Sequence, residues 1–233
     1  MIFSLNSKIS GVKKWTWMNG INGMNKNIAP ITISKEAISQ MEQVLFPGRI
    51  IVVQTPEEAR KAVSYLSKFP ILGFDTETRP SFKKGHSHQV ALIQIATEDT
   101  CFLFRINQIG FLDSIKELLN NEHITKIGLS IHDDFAMLHK ISDFVPQNFI
   151  ELQKYVKRFN IQDMSLQKVY AIIFGKKISK SQRLSNWEAE TLTDAQKKYA
   201  ATDAWACIEI YKRLRSGKFT RQIRASQNNT SIS

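Results

Sequence analysis

The chain contains little cysteine and little proline, and it has no long apolar run. Its 233 residues include only two cysteines, Cys101 and Cys207, and six prolines. Two cysteines argue against a disulfide-built scaffold and indicate a reducing compartment. The sequence has no Cys-x-x-Cys pair or Cys/His cluster of the kind that binds structural zinc. No stretch approaches the ~18 apolar residues of a membrane-spanning helix, so we expect no membrane partner.

Acidic residues are outnumbered, and the chain is strongly basic. Lys and Arg number 32 against 21 Asp and Glu, which gives a formal net charge of +11. Such an excess is typical of proteins with a polyanionic partner, nucleic acid being the first candidate and an anionic membrane the second. The hydrophobic fraction of 42% and the charged fraction of 23% are ordinary for a globular protein. Composition therefore excludes collagen, a coiled coil and wholesale disorder.

The N-terminal segment lacks both acidic residues and a hydrophobic period. No Asp or Glu precedes Glu36, and the segment is rich in Asn, Ser, Gly and Lys. Because it also lacks the apolar core of a secretory signal, we interpret residues 1–48 as an extension whose first ~30 residues are flexible. An organellar transit peptide and a start codon at Met18 or Met24 are the alternatives. We expect a cytoplasmic or other reducing intracellular location.

Strand and helix signals alternate through the middle of the chain. The capping boxes that begin with Thr55 and Thr193 predict two helix starts. Three hairpin-linked strands, then strand–helix alternation and then helices predict a mixed sheet with helices on its faces. We assign residues 49–217 to this α/β domain and residues 218–233 to a basic, polar tail, which we expect to be frayed from Thr220. The predicted strands are Ile50–Val53, Ile71–Glu77, Val90–Ala96, Cys101–Ile106 and Lys126–Ser130, with Phe149–Leu152 as a further short candidate.

Two acidic residues, Asp75 and Glu77, end an apolar strand. Strand alternation places both side chains on one face. Adjacent carboxylates repel each other unless a cation lies between them. Mg²⁺ and Mn²⁺ prefer carboxylate oxygens, which makes the pair a candidate metal site. Taken alone the pair is weak evidence, because a strand end that frays into solvent is the commoner explanation.

Further acidic residues lie on two predicted helices. Asp133 and Asp134 follow a strand, and Ser130 with Asp133 can form an N-terminal cap, which leaves Asp134 free to face the sheet. Tyr199 and Asp203 are one turn apart on one face of the last helix. Alanine and tryptophan flank Asp203, and a buried carboxylate needs a partner such as a metal.

Four carboxylates and a tyrosine on three elements are what two-metal phosphodiester hydrolysis requires. Two ions roughly 3.5–4 Å apart clamp the attacking and leaving oxygens. A tyrosine hydroxyl can position or deprotonate the attacking water. The segments Phe74-Asp75-Thr76-Glu77, Gly128 to Leu138 and Tyr199 to Asp203 resemble, in order, the three motifs of the DEDDy 3′–5′ exonucleases. Because Leu184-Ser185-Asn186-Trp187 precedes the third motif, the chain is most similar to the Werner-syndrome-type exonuclease domain, with ribonuclease D close behind.

The resemblance implies a fold, an activity and two cofactor ions. The fold would be RNase H-like (DnaQ-like), with a five-stranded mixed sheet flanked by helices. The reaction would release nucleoside 5′-monophosphates from the 3′ end of DNA or RNA with two Mg²⁺ or Mn²⁺ ions. The resemblance marks as catalytic Asp75, Glu77, Asp134, Tyr199 and Asp203.

Each of these residues receives a role from the resemblance. Asp75, Glu77 and Asp203 would hold the first ion. Asp75 and Asp134 would hold the second, and Tyr199 would orient the nucleophilic water. Two further positions, Thr76 and Leu138, lie where the family contacts the 3′-terminal nucleotide.

A site of four carboxylates repels phosphates, so positive charge around it must hold the substrate. We expect salt-sensitive binding of single-stranded 3′ ends that is largely independent of sequence. The residues predicted to contact nucleic acid are Lys83, Lys84, Lys176, Lys177, Lys180 and Arg183. The basic residues from Lys212 to Arg224 fit backbone contact and a solubilising surface equally well.

Two other functions fit the same residues. One is a nucleic-acid-binding module without catalysis, which the presence of all four acids and the tyrosine disfavours. The other is a proofreading or degradation subunit that is active only with a polymerase or helicase partner. The choice between DNA and RNA stays open because discrimination of the 2′-OH depends on pocket shape. The oligomeric state and the preferred ion also stay open.

Overall fold

A six-stranded mixed sheet forms the centre of the protein. The structure, a computed structural model, describes residues 30–83 and 85–230. The strand order is β1-β4-β3-β2-β5-β6, and β3 runs antiparallel to both of its neighbours while the other neighbouring pairs are parallel. The strands are β1 (Arg49–Val53), β2 (Ile71–Thr78), β3 (Val90–Ala96), β4 (Thr100–Phe104), β5 (Thr125–Gly128) and β6 (Phe149–Glu151). The predicted mixed sheet is confirmed, with one strand more than the expected five because β6 pairs with β5.

Helices cover both faces of the sheet. Both predicted capping boxes are present: Thr55 caps α2 with Glu58, and Thr193 caps α8 with Gln196. The helices are α1 (Lys35–Ser39), α2 (Pro56–Leu66), α3 (Ile106–Ile109), α4 (Asp113–Asn120), α5 (Ile131–His139), α6 (Leu152–Lys157), α7 (Leu166–Phe174), α8 (Asp194–Arg215) and α9 (Lys218–Thr230). Among the described residues, no helix is both long and apolar enough to cross a bilayer.

The sheet separates two hydrophobic cores. One core lies under α6, α7 and α8, and the other lies under α2, α4 and α5. At Gly73 of β2 an added Cβ would lie 2.0 Å from the backbone oxygen of Ala204 in α8. Only glycine allows so close an approach. The helix that carries the third motif is therefore pressed directly onto the strand that carries the first.

The chain outside the predicted domain is partly docked onto it. The Val44 N–H donates to the Lys177 oxygen at 2.9 Å, and the Phe46 N–H donates to Thr202 Oγ1 at 3.0 Å. The predicted flexible N-terminal residues lie outside the described residues, apart from the last one or two. The expectation of a tail frayed from Thr220 is wrong as far as Thr230, because these residues belong to α9. The buried ring of Phe219 anchors this helix to the core.

Candidate active site

Strand β2 and helix α8 bring three carboxylates together. Alternation along β2 places Asp75 and Glu77 on the face that α8 covers, and the close packing of α8 brings Asp203 to them. Ligand oxygens of Asp75, Glu77 and Asp203 all lie within 4.8 Å of one another. Asp203 is only 8% exposed. Hard oxygen donors at this spacing fit a divalent cation, so the acidic cluster is a candidate metal site.

Asp134 approaches the cluster from the other side of β2. It lies in the first turn of α5, where its Oδ1 accepts a hydrogen bond from Thr76 Oγ1 at 2.5 Å. It does not belong to the group of three whose oxygens lie within 4.8 Å. Its charge nevertheless acts on both Asp75 and Glu77. The structure therefore brings all four predicted acids into one region, three of them in direct proximity.

The start of α5 is held by a residue that sequence reasoning missed. Ser130 has a φ of 65° and makes no side-chain cap, so the predicted Ser130–Asp133 cap is wrong. The carboxylate of Glu151 instead accepts from the N–H groups of Ser130 at 3.0 Å and Ile131 at 2.9 Å. Parallel pairing of Gly128 with Glu151 brings this carboxylate to the helix start. Its sequence signal was only an acid near the end of the short strand candidate Phe149–Leu152.

Tyr199 lies beside Asp203 and is supported by the segment before α8. The Tyr199 side chain lies close enough to the Asp203 carboxylate to lower its pKa. The Tyr199 ring packs on the fully buried Trp187, with 6.0 Å between ring centroids. Gln196 Nε2 fixes the chain before Trp187 by donating to Ser185 Oγ at 3.0 Å. The predicted core role of Trp187 is confirmed, and it places the tyrosine hydroxyl next to the acids.

Burial dominates the electrostatics of the site. Burial, followed by the charges of Asp134, Asp203 and Glu77, raises the pKa of Asp75 well above its ordinary value. Burial and the charge of Asp203 raise the pKa of Glu77 to about 9. Burial also raises the pKa values of Asp134 and Asp203 to about 7 each, although the hydrogen bond from Thr76 and the nearby Tyr199 side chain act in the opposite direction. Because ionisation of these groups is unfavourable without a cation, the site has the electrostatics of a metal-binding pocket.

The predicted basic residues divide into two groups. Lys180 and Arg183 are exposed and lie within electrostatic range of the acids, since they favour the ionised forms of Asp203 and Glu77 respectively. Lys176 instead pairs with Glu42 at 3.2 Å. Lys177 Nζ donates to the Ser39 oxygen at 2.6 Å. The latter two lysines bind the N-terminal segment and not the acidic cluster.

Of the remaining predicted nucleic-acid contacts, two lie elsewhere and one is outside the described residues. Lys83 is exposed on the β2–β3 connection, and Lys84 lies outside the described residues. Leu138 is fully buried in the core under α5, so it offers no surface to a nucleotide. The β2–β3 connection is tied to the segment before α8, because Arg79 and His88 both contact the Glu188 carboxylate.

Comparison with known protein families gives a consistent match. A family model described as 3′–5′ exonuclease matches residues 50–217. The mouse protein named bifunctional 3′–5′ exonuclease/ATP-dependent helicase WRN is 37% identical over 188 residues, which cover 76% of this chain and 13% of the mouse protein. An Arabidopsis thaliana protein named 3′–5′ exonuclease is 30% identical over 191 residues, which cover 73% of this chain and 65% of that protein. The chain thus spans less than two thirds of the length of these relatives.

Solved structures share the fold. The Aedes aegypti Nibbler EXO domain has a TM-score of 0.65 at 21% identity, covering 84% of this chain and 94% of that one. Escherichia coli RNase D has a TM-score of 0.64 at 21% identity, covering 79% and 49%. Trypanosoma brucei RNase D, solved in complex with RNA U12, has a TM-score of 0.65 at 19% identity, covering 72% and 63%. The predicted RNase H-like fold is confirmed.

Proposed function

Because the chain belongs to the 3′–5′ exonuclease family, we propose that it removes nucleotides from the 3′ end of DNA or RNA by metal-dependent phosphodiester hydrolysis. The acidic cluster carries this proposal, since oxygens of the half-buried Asp75 and Glu77 and the buried Asp203 lie within 4.8 Å of one another. Such a concentration of like charge is costly unless it serves a cation. The resemblance of the three motifs to the DEDDy exonucleases supports the same reaction.

We propose that two divalent ions, Mg²⁺ or Mn²⁺, bind here. Asp75, Glu77 and Asp203 would hold one ion, and Asp75 with Asp134 would hold the other. The donor set fits, because all four groups are carboxylates, which offer hard oxygen ligands. Burial, joined at Asp75, Glu77 and Asp134 by the charges of neighbouring carboxylates, raises their pKa values and makes ionisation unfavourable without a cation. When bound, ions of this kind stabilise charge on the attacking and leaving oxygens and lower the pKa of water.

The remaining residues would position the reactants. Tyr199 lies beside Asp203 and would orient the attacking water over the scissile phosphate. Lys180 and Arg183 would hold the phosphates of the strand as it enters the site. Thr76 would contact the terminal nucleotide as well as Asp134. Single-stranded 3′ ends are the substrate that we propose, and the RNA complex of the Trypanosoma brucei relative makes RNA a candidate alongside DNA.

The test is cleavage of 5′-labelled oligonucleotides by the purified chain. Matched single- and double-stranded DNA and RNA are incubated with Mg²⁺ or Mn²⁺. We expect a ladder that shortens from the 3′ end and that EDTA abolishes. Asp75→Asn should abolish the ladder. Asp133→Asn, at the exposed neighbour of Asp134, should leave it intact.

Other outcomes would identify the alternatives. Tight binding of the oligonucleotide without any cleavage would support a binding module in place of an enzyme. Cleavage that requires an added polymerase or helicase would support a partner-dependent subunit. Cleavage that survives both EDTA and Asp75→Asn would contradict the proposed site.

A further inference from the structure

Gln94 is a buried amide that no other described group satisfies. It lies in β3, whose other residues are all apolar, and its side chain is 0% exposed. Neither Oε1 nor Nε2 of Gln94 has a hydrogen-bond partner within the part of the chain that the structure describes. A buried amide without partners is unfavourable, and most buried polar groups in proteins are paired. Its position in an otherwise apolar strand therefore needs an explanation.

The register of the sheet places Gln94 directly opposite Asp75. Strands β2 and β3 are antiparallel and pair Asp75 with Gln94. Directly opposed residues project to the same face, with Cβ atoms roughly 4.5–5.5 Å apart. Leu92 and Ala96, two residues to either side of Gln94, belong to the core under α8. The amide and the carboxylate therefore share the face that carries the acidic cluster.

We propose that Gln94 is a positioning residue for the candidate metal site. Its Nε2 would donate a hydrogen bond to the Asp75 carboxylate and hold that group in the orientation that both ions require. A neutral amide can do this without adding another negative charge. Partners of this kind orient metal-binding groups in many proteins. The proposal rests on the proposed function, because it assigns a role to Gln94 only if Asp75 binds a metal.

Replacement of Gln94 by leucine distinguishes a role in positioning Asp75 from a role in packing the core. Gln94→Leu removes the amide, and it should leave the melting temperature in EDTA unchanged or raised because the unsatisfied groups disappear. Calorimetric titration should show Mn²⁺ affinity reduced about 10- to 100-fold. Gln94→Met, which is unbranched like glutamine and also lacks the amide, gives a second measurement of the same reduction in Mn²⁺ affinity. Ile95→Val, whose side chain faces the other core, is the matched control and should bind Mn²⁺ as the wild type does.

Failure of the role of Gln94 and failure of the exonuclease proposal give different results. Unchanged Mn²⁺ affinity in both Gln94 variants, alongside wild-type cleavage, would overturn the role of Gln94 and leave the exonuclease proposal intact. Absence of Mn²⁺ binding by the wild-type chain would overturn both.

A second, independent feature lies at the other end of α8. The rings of Tyr155 and Tyr211 lie 5.2 Å apart. The Arg158 guanidinium lies 5.3 Å from the Tyr155 ring, and the Arg215 guanidinium lies 5.8 Å from the Tyr211 ring. We call these four residues the Arg–Tyr stack. Arg215 is twelve residues beyond Asp203 on one helix, which corresponds to about 18 Å.

The stack presents positive charge that is not neutralised. Both arginines are exposed, and neither forms a salt bridge within the described residues. After burial, the charges that act on the pKa of Tyr155 are those of Tyr211, Arg158 and Arg215, with no carboxylate among them. Helix α9 follows α8 directly and adds Lys218, Arg221 and Arg224. Each guanidinium lies near a tyrosine ring, and no described carboxylate pairs with it, so both can meet an anion.

We infer that the Arg–Tyr stack is a second contact surface for nucleic acid, which binds phosphates upstream of the 3′ end. This inference also rests on the proposed function. Arginine forks match phosphate geometry. A stacked strand, at about 3.4 Å per nucleotide, spans this 18 Å in about five nucleotides. The surface should therefore affect long substrates and not short ones.

A length-dependent binding assay tests this surface. Arg158→Ala with Arg215→Ala should weaken binding of a single strand of about 20 nucleotides roughly tenfold and reduce the log–log salt slope by about 1.4. Binding of a strand of about four nucleotides, and its cleavage, should not change. The matched control is Arg60→Ala with Lys61→Ala, two exposed cations of α2 on the opposite side of the sheet. Equal weakening of binding for both strand lengths, or no weakening for the long strand, would overturn the inference. Absence of cleavage by the wild-type chain would instead contradict the proposed function.

Discussion

Thr76 Oγ1 donates a hydrogen bond to Asp134 Oδ1 across 2.5 Å, and it thereby joins the strand of the first acidic motif to the helix of the second. The two residues are 58 positions apart in the chain. Thr76 faces away from the side of β2 that carries Asp75 and Glu77, so this bond holds Asp134 at the strand on the other side. The geometry of the site depends on it.

Loss of this hydrogen bond should reduce activity more than stability. Thr76→Val keeps the volume and removes the hydroxyl, so we expect cleavage to fall roughly 10- to 100-fold, as for other residues that orient metal-binding groups. Steady-state cleavage and thermal unfolding are measured together. Thr76→Ser retains the hydroxyl and should keep most of the activity. Equal activity of the valine and serine variants would show that the bond is irrelevant.

Glu151 should stabilise the fold through the start of α5. Glu151→Gln replaces a charged acceptor of two helix N–H groups with a neutral one. We expect a loss of about 1–2 kcal/mol in the free energy of unfolding, measured by denaturant titration. The exposed Glu122→Gln is the control and should have little effect. If Glu151→Gln keeps the wild-type free energy of unfolding and wild-type cleavage, the role assigned to Glu151 is contradicted.

The stability of the metal-free protein should decrease as the pH rises. Burial raises the pKa values of Asp134 and Asp203 to about 7 and that of Glu77 to about 9, so the folded state keeps protons that the unfolded chain releases near pH 4. The contribution of these groups to the free energy of unfolding is therefore greatest below pH 4, and it decreases between about pH 4 and pH 9. Each group lowers it by up to ~1.4 kcal/mol for each pH unit between its unfolded and folded pKa values.

Melting temperatures in EDTA across this range provide the measurement. Added Mn²⁺ binds the ionised carboxylates, so it should raise the melting temperature more at pH 8 than at pH 5. Asp75→Asn removes one acid and should flatten the pH dependence in EDTA. A melting temperature that rises with pH in EDTA would contradict the predicted decrease in stability.

The two groups of basic residues should behave differently when replaced. Lys180→Ala with Arg183→Ala should weaken single-strand binding and reduce its salt slope by about 1.4, since each phosphate contact contributes about 0.7. Lys176→Ala with Lys177→Ala should leave the slope unchanged, because these lysines bind Glu42 and the Ser39 oxygen. Fluorescence anisotropy at several salt concentrations measures both. Identical slopes for the two variants would refute the distinction.

Local rules were enough to predict much of the site from the sequence. Strand alternation placed Asp75 and Glu77 on one face, and helical spacing placed Tyr199 and Asp203 on another. The capping box at Thr193 depends on residues three positions apart, so it was predictable too. The strand bounds were accurate to one or two residues. The largest differences, of two residues, are at Ile106, which begins α3 and does not extend β4, and at Ser130, which lies beyond the end of β5.

Contacts between distant segments decided the rest. Glu151 caps a helix that begins 20 residues earlier. Leu138 is buried in a core, and helix α9, with Phe219 buried, forms where a tail was expected. The pairing of β2 with β3 alone sets Gln94 opposite Asp75. The sequence by itself determined which chemical groups lie together on each strand and helix, because periodicity acts over a few residues. Only the tertiary structure decided which of those groups meet, because sheet register and helix packing join segments that no local rule connects.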